Sequence, residues 1–274
     1  MVRVTTIVLL FLTAVMLSAC GGIEQLTTPS VEDRFEKGKT LYDDENYFEA
    51  INEFNVITLQ FQGSAFADDA QFYLGECYFQ RGEYHLAGLE YGRLTQNMPA
   101  SPLVPEARFK LGLSYYMLAP KSVLDQQYTL KAIDELQSFL LYYPDNEHAV
   151  NAEGKIRELT LRLAKKEYET ARLYATMDYH KAAVLYYDSI LEKYHDTEYA
   201  PLAYLGKTEA LIFRKRYEEA LTTISRFLLL FPDSVLRSTA EKLKQSIEEE
   251  SGSNPDIRQE TVNSKTEILG KKNR

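Results

Sequence analysis

The feature that most constrains this chain is an interval. Gly38, Gly75 and Gly112 follow one another at 37-residue steps, and the same small residues recur after them. Gly38 precedes Ala50 by 12 residues and Phe54 by 16; Gly75 precedes Ala87 by 12 and Tyr91 by 16. Each glycine lies in a stretch with helical spacing. A polar turn follows (Asp43-Asp44-Glu45-Asn46; Gln80-Arg81-Gly82-Glu83), then a second helical stretch opening at Tyr47 or Tyr84. Small residues at fixed places in two successive helices let the helices cross closely. A unit of two helices cannot bury its own apolar face, so repetition implies stacking. Three segments align in this way: Glu32–Ile57, Asp69–Leu94 and Glu106–Phe139. In the third, Gly112 and Ala132 stand 20 residues apart, and the 8 extra residues fall in Pro120–Leu130 as a longer turn or loop. Pro99, Pro144 and Pro232 are placed to end second helices, which proline cannot continue.

The pattern resembles the tetratricopeptide repeat, a helix–turn–helix unit of roughly 34 residues, in its small–small–aromatic skeleton without the tryptophan. A fourth copy carries Ala171, Tyr174, Ala183 and Tyr187. A fifth carries Gly206, then Arg216-Tyr217-Glu218-Glu219-Ala220-Leu221, and ends in Phe231-Pro232-Asp233. There the glycine precedes the alanine by 14 residues rather than 12, a displacement of about half a helical turn. Val235–Glu250 sets Leu236, Ala240, Leu243 and Ile247 on one face, as a helix closing an open end requires. The expected fold is therefore all-α: a superhelical solenoid of five tetratricopeptide-like helix pairs with a C-terminal capping helix. Repeats 1–3 occupy residues 31–145, and repeats 4–5 with the cap occupy 146–250. Residues 251–274 contain no aromatic residue and read as a disordered tail. Cys77 is expected as a small buried residue.

The N-terminus reads as an export signal over residues 1–19. Arg3 precedes the apolar run Val4–Leu17, too short to span a bilayer, which takes about 20 residues. The run ends in Leu17-Ser18-Ala19-Cys20-Gly21-Gly22, similar to a bacterial lipobox, in which the cysteine thiol takes a diacylglycerol. Cys20 is then the lipidation site and the mature N-terminus, and residues 20–30 are a lipidated tether. The alternative is an ordinary signal that leaves a free cysteine. Glycine rather than aspartate after the cysteine is the sorting preference for the outer membrane.

Composition closes off other functions. A net charge of −9 is opposite to the footprint of a nucleic-acid binder. Two cysteines, one of them at the lipobox, rule out a disulfide framework, and four histidines far apart give no metal-ligand spacing. No phosphate loop, nucleophile elbow, zinc-protease or dinucleotide motif occurs. Asp68-Asp69 and Glu218-Glu219 are neighbours on helices and point apart, so they read as solvated faces. No catalytic residue, metal site or cofactor is expected. Stacked helical repeats instead offer long surfaces for peptides and proteins.

The aromatic residues are the candidates for such a surface. With each glycine taken as position eight, position five holds Phe35, Phe72 and Phe109, and position twelve holds Tyr42, Phe79 and Tyr116. Seven residues separate each pair, so both rings share a helix face. In tetratricopeptide arrays these positions usually face the concave groove, and Lys39, Glu76 and Gln80 stand beside them. The same spacing is equally that of rings packed as core between helices. Repeats 4 and 5 break the series with Tyr168 and Ala175, then Leu205 and Ile212, and so present a different contact surface.

A more specific resemblance lies in Leu161-Arg-Leu-Ala-Lys-Lys-Glu-Tyr-Glu-Thr-Ala-Arg-Leu-Tyr174. It is joined by the third-repeat insertion Asp125-Gln126-Gln127-Tyr128-Thr129, then Ala132 and Tyr143-Pro144. With the lipobox and five repeats, the stretch from Val31 to Ile247 resembles the BamD (ComL) family of outer-membrane assembly lipoproteins. His195 stands where that family commonly has proline, so the end of its helix must be set by other means. The resemblance implies a lipid anchor in the outer membrane and a body facing the periplasm. It implies C-terminal repeats that bind the POTRA domains of a BamA-like barrel, beside other assembly lipoproteins. Its N-terminal repeats receive the C-terminal targeting peptides of unfolded outer-membrane proteins, with no nucleic acid involved. Two other readings stay open: a tetratricopeptide lipoprotein organising periplasmic cell-wall enzymes, and a carbohydrate-binding lipoprotein with aromatic platforms on outer surfaces.

Overall fold

Where small and apolar residues recur at helical spacing the chain is helical, and the polar stretches between are short turns. The computed structural model describes residues 29–253, among which there are eleven α-helices. They are α1 (Val31–Asp43), α2 (Tyr47–Gln60), α3 (Ala67–Gln80), α4 (Tyr84–Asn97), α5 (Val104–Leu118), α6 (Gln127–Tyr142), α7 (Ala149–Thr176), α8 (His180–Lys193), α9 (Tyr199–Phe213), α10 (Tyr217–Leu230) and α11 (Arg237–Ser253). The signal segment, Cys20 and the tether up to residue 28 lie outside the described residues, as does the tail from residue 254. Residues 251–253, assigned to the tail by composition, are the last turn of α11.

The chain divides into two compact units within α3, between Cys77 and Tyr78. In the first, α1 packs along α2, and α1 opens with a capping box in which Ser30 and Asp33 exchange hydrogen bonds. In the second, helices from α4 to α11 each pack on the next. The boundary drawn at 145/146 falls in the turn between α6 and α7, inside this unit, where the two helices pack together.

The small residues sit at the crossings. A Cβ on Gly38 would lie 2.7 Å from the Phe54 ring of α2, and one on Gly112 2.8 Å from the Leu136 side chain of α6. Ala50, Ala87, Ala132, Ala183 and Ala220 are fully buried. In the fifth repeat the glycine serves a different neighbour. A Cβ on Gly206 would collide with the Tyr187 ring of α8, the preceding repeat. Thr208 stands 12 residues before Ala220 in its place, buried, with its hydroxyl donating to the Tyr204 carbonyl at 2.8 Å.

Four of the five turns within the helix pairs are the same object. Glu45, Gly82, Asp178 and Lys215 all adopt positive φ, between 58° and 75°. After each, the next residue's N–H donates to the carbonyl five residues back: Asn46 to Leu41, Glu83 to Tyr78, Tyr179 to Tyr174, Arg216 to Leu211. The third turn differs. The insertion becomes a loop between Ala119 and Gln126, and it is held from outside. Arg162 of α7 donates to the carbonyls of Ala119 (2.9 Å) and Pro120 (3.0 Å), and Lys166 to that of Leu124 (2.5 Å). The buried Gln126 amide donates to the carbonyls of Lys121 and Leu124, both at 2.9 Å, and its oxygen accepts from the Thr129 hydroxyl.

Helix α7 runs for 28 residues. Its first half brings Ala152 and Ile156 against Phe109, Leu136 and Phe139 of the third repeat. Its second half, which contains the fourth-repeat signature, brings Tyr168 and Ala171 into the cluster around Tyr187, Ile190 and Leu211. Helix α8 ends at Lys193 without proline. The Tyr194 N–H still bonds to Ile190, Tyr194 packs into the core, and Thr197 closes onto the Tyr194 carbonyl through its hydroxyl at 2.7 Å. In α11, Ala240 and Ile247 are buried and Leu236 and Leu243 pack beside them, which closes the last exposed face.

Candidate functional site

The six rings proposed from spacing divide into two groups. Phe35 and Phe109 belong to the interior. Phe35 retains 9% of its surface and lies among Phe66 (centroids 5.2 Å), Phe54 (6.0 Å) and Tyr73 (6.1 Å). Phe109 retains 4% and packs on Phe139 at 5.5 Å and flat on His148 at 4.4 Å. His148 is tied in turn to Glu106 at 2.8 Å. For these two rings the expectation of a groove position gives way to the packing alternative. Position five faces the partner helix closely enough that a large ring there fills the crossing.

The other four are half-buried. In the first unit, Tyr42 meets Tyr73 (5.3 Å) and Tyr47 (5.6 Å), and its hydroxyl donates to Glu76 at 3.5 Å. The Lys39 ammonium stands 4.6 Å from the Tyr73 ring and 5.4 Å from that of Tyr42. Its bond to Asp43 at 2.8 Å, aided by Tyr73, raises its pKa against the opposing effect of burial. Phe72 lies edge-on to Tyr73 at 6.0 Å.

In the second unit, Phe79 meets Tyr84 at 5.1 Å, with the Lys110 ammonium 5.5 Å above its ring. Tyr116 is covered by Lys155 at 4.0 Å, and its hydroxyl donates to Glu158 at 2.7 Å. Glu158 also accepts from Arg162, the residue that holds the third loop. Tyr42, Phe79 and Tyr116 thus share a feature that spacing missed: each ring has a lysine over it. A cation over an aromatic face leaves the pair able to meet both an apolar and an anionic group. Lys39 was visible as a neighbour of Tyr42. Lys110 and Lys155 come from other helices and carry no local signal.

A cleft of about 700 Å³ opens beside the third loop, lined by Pro120, Val123, Leu161, Lys165, Glu198 and Tyr199 among others. The loop is held in place while Val123 and Leu124 stay 73% and 56% exposed. In repeat 4 a tyrosine, Tyr168, stands where repeats 1–3 have phenylalanine, and it packs on Tyr187 at 6.1 Å. Burial, with Tyr168 and Glu209 nearby, pushes the Tyr187 hydroxyl up to about 12, and burial also raises Tyr168 and Glu209. Among the described residues no histidine, cysteine or carboxylate group clusters as a metal site does, and no helix is long and apolar enough to cross a membrane.

Paired helices with tight left-handed turns, small residues at the crossings and a closing helix define a tetratricopeptide-type repeat protein. Within that class, residues 28–211 match the family described as YfiO, outer membrane lipoprotein, and the chain belongs to that family. It is 24% identical to the outer membrane protein assembly factor BamD of Rickettsia prowazekii, over 76% of this chain and 83% of that one. It is also 24% identical to the BamD of Caulobacter vibrioides, over 76% of this chain and 70% of that one. Among solved structures it is similar to the TPR domain of P58(IPK), with 15% identity, a TM-score of 0.41, and 89% and 67% of the two chains covered.

Proposed function

We propose that this protein is a non-enzymatic factor in outer-membrane protein assembly, lipidated at Cys20 and held on the periplasmic face of the outer membrane. The observation that carries the reading is the match of residues 28–211 to the outer membrane lipoprotein family, whose relatives above are assembly factors. Its C-terminal repeats scaffold the POTRA domains of a BamA-like barrel, beside other assembly lipoproteins. Its N-terminal repeats receive the C-terminal peptides of unfolded outer-membrane proteins. The half-buried rings support that second role: Tyr42 and Phe72 in one unit, Phe79 and Tyr116 in the other, three of the four with a lysine alongside. An extended peptide with aromatic side chains gains ring contacts there, and the lysines beside Tyr42, Phe79 and Tyr116 suit a carboxylate.

The test is a mild-detergent pull-down of the tagged full-length protein from its own membranes, with partners identified by mass spectrometry. A POTRA-bearing barrel at near-stoichiometric yield is expected. Cell-wall synthases or hydrolases without that barrel would replace this reading with that of an adaptor for cell-wall enzymes. The peptide role has its own test. Phe72→Ala should weaken crosslinking of an outer-membrane C-terminal peptide severalfold in protein that remains folded; unchanged crosslinking removes Phe72 from the surface.

A further inference from the structure

The ring of Tyr116 and the third loop are joined by a closed circuit of hydrogen bonds. Tyr116 stands two residues before the end of α5, and its carbonyl accepts from the N–H of Ala119, where the loop begins, at 3.1 Å. The Ala119 carbonyl accepts from Arg162 at 2.9 Å, as does that of Pro120 at 3.0 Å. Through its other terminal nitrogen Arg162 donates to one oxygen of Glu158 at 3.0 Å. The second oxygen of Glu158 accepts from the Tyr116 hydroxyl at 2.7 Å, which brings the circuit back to its start. All of these residues belong to the second unit.

Glu158 is the weak member. Its side chain is 50% exposed, against 23% for Arg162, and its place rests on those two donors, one of them a neutral hydroxyl. The far end of the loop is held separately, by Lys166 on the Leu124 carbonyl and by the Gln126 amide inside. Opening the circuit therefore loosens the near end, residues 119–123, and spares the far end.

A cation stands beside the weak member. Lys155 lies 4.0 Å from the centre of the Tyr116 ring, one turn before Glu158 on α7, and among the described residues no carboxylate pairs with it. An anion drawn to that ammonium comes over the ring that carries the hydroxyl and one turn from the like charge of Glu158. The hydroxyl has a single proton to donate, so it cannot serve both carboxylates.

We infer that this circuit is a latch. A peptide carboxylate seated on Lys155 takes the Tyr116 hydroxyl from Glu158 and repels that side chain. Arg162, no longer fixed on its far side, releases the carbonyls of Ala119 and Pro120. Resting on the peptide-receiving role proposed above, the latch adds what receipt does to the rest of the unit. The cleft of about 700 Å³ is lined by Pro120, Val123, Glu158 and Arg162, so one of its walls changes when the ring is occupied. By reciprocity, whatever fixes the loop from the cleft weakens the hold of Lys155 on the anion.

The experiment follows amide hydrogen exchange in the full-length protein with a peptide ending in phenylalanine, once with a free carboxylate and once amidated, and measures binding of each in parallel by fluorescence anisotropy. The free carboxylate should raise exchange at residues 119–123 about tenfold, the worth of one charge-assisted hydrogen bond, and the amidated peptide should not. Tyr116→Phe keeps the ring and removes the hydroxyl, so the unliganded variant should already show the raised exchange, and the peptide should add nothing. Binding of the acid with exchange at 119–123 unchanged overturns the latch and leaves the peptide role standing; an equal rise with the amidated peptide overturns it too. Failure of both peptides to bind sinks the peptide role and the trigger with it. Native exchange at 119–123 in unliganded Tyr116→Phe overturns the circuit itself, whatever the peptides do.

Discussion

The third repeat and its four companions solve one problem in opposite ways. Repeats 1, 2, 4 and 5 reverse direction in three residues, with a left-handed residue and two backbone hydrogen bonds that need no side chain. The third takes eight residues, 119–126, and is held by side chains. It borrows Arg162 and Lys166 from α7 and spends a buried glutamine on its interior carbonyls. The tight turns are local and tolerant of sequence; the long one depends on residues some 40 positions away, and in return it presents Val123 and Leu124 on a fixed support. What differs is where the order comes from, and substitutions should separate the two cases.

Gln126→Ala should act most strongly. It strips donors from the carbonyls of Lys121 and Leu124 and leaves the Thr129 hydroxyl without its acceptor, a loss of about 2–3 kcal/mol by denaturant unfolding. A loss below ~0.5 kcal/mol would mean the loop does not need its interior glutamine. Arg162→Met follows at about 1–2 kcal/mol, with Arg162→Lys recovering only part because one ammonium cannot span both carbonyls and Glu158. Hydrogen exchange in residues 119–126 should rise in both variants and stay unchanged at the other turns. Gly82→Ala probes the tight turns: a side chain at φ 75° should cost about 1 kcal/mol, with no exchange effect in the third loop. Smallest is Lys215→Gly, which relieves the same conformation where a lysine now adopts it and should gain about 0.5 kcal/mol. A destabilised Lys215→Gly would show that the lysine side chain contributes something the turn geometry does not.

Much of this was legible in the residues because crossing helices demand small side chains at regular places. Gly38, Gly112 and the five buried alanines follow directly, and the two-residue displacement of Gly206 marked the glycine that serves the preceding repeat instead of its own. The roles of Phe35 and Phe109 were not legible. A ring at helical spacing has the same periodicity whether it meets a partner helix or a peptide, and only the separation of the helices decides between them. The left-handed turns at Glu45, Asp178 and Lys215 were hidden because glycine, the residue that advertises that conformation, occupies only the position at Gly82. The lysines over Phe79 and Tyr116 were hidden for another reason: they arrive from helices distant in sequence.

Helix α7 is where the third repeat hands over to the fourth, and its continuity turns it into a drive shaft. Its first half is keyed to Leu136 and Phe139, its second to Tyr187 and Leu211, with no hinge between. One residue added within the shaft advances everything beyond it by 1.5 Å and swings it through about 100°. The two ends could then not both engage their sockets. The phase between the loop-bearing repeat and the tyrosine-rich repeats is therefore set by counting residues along a single helix, and a length change there should be far less tolerable than one of equal size in the loop at 119–126.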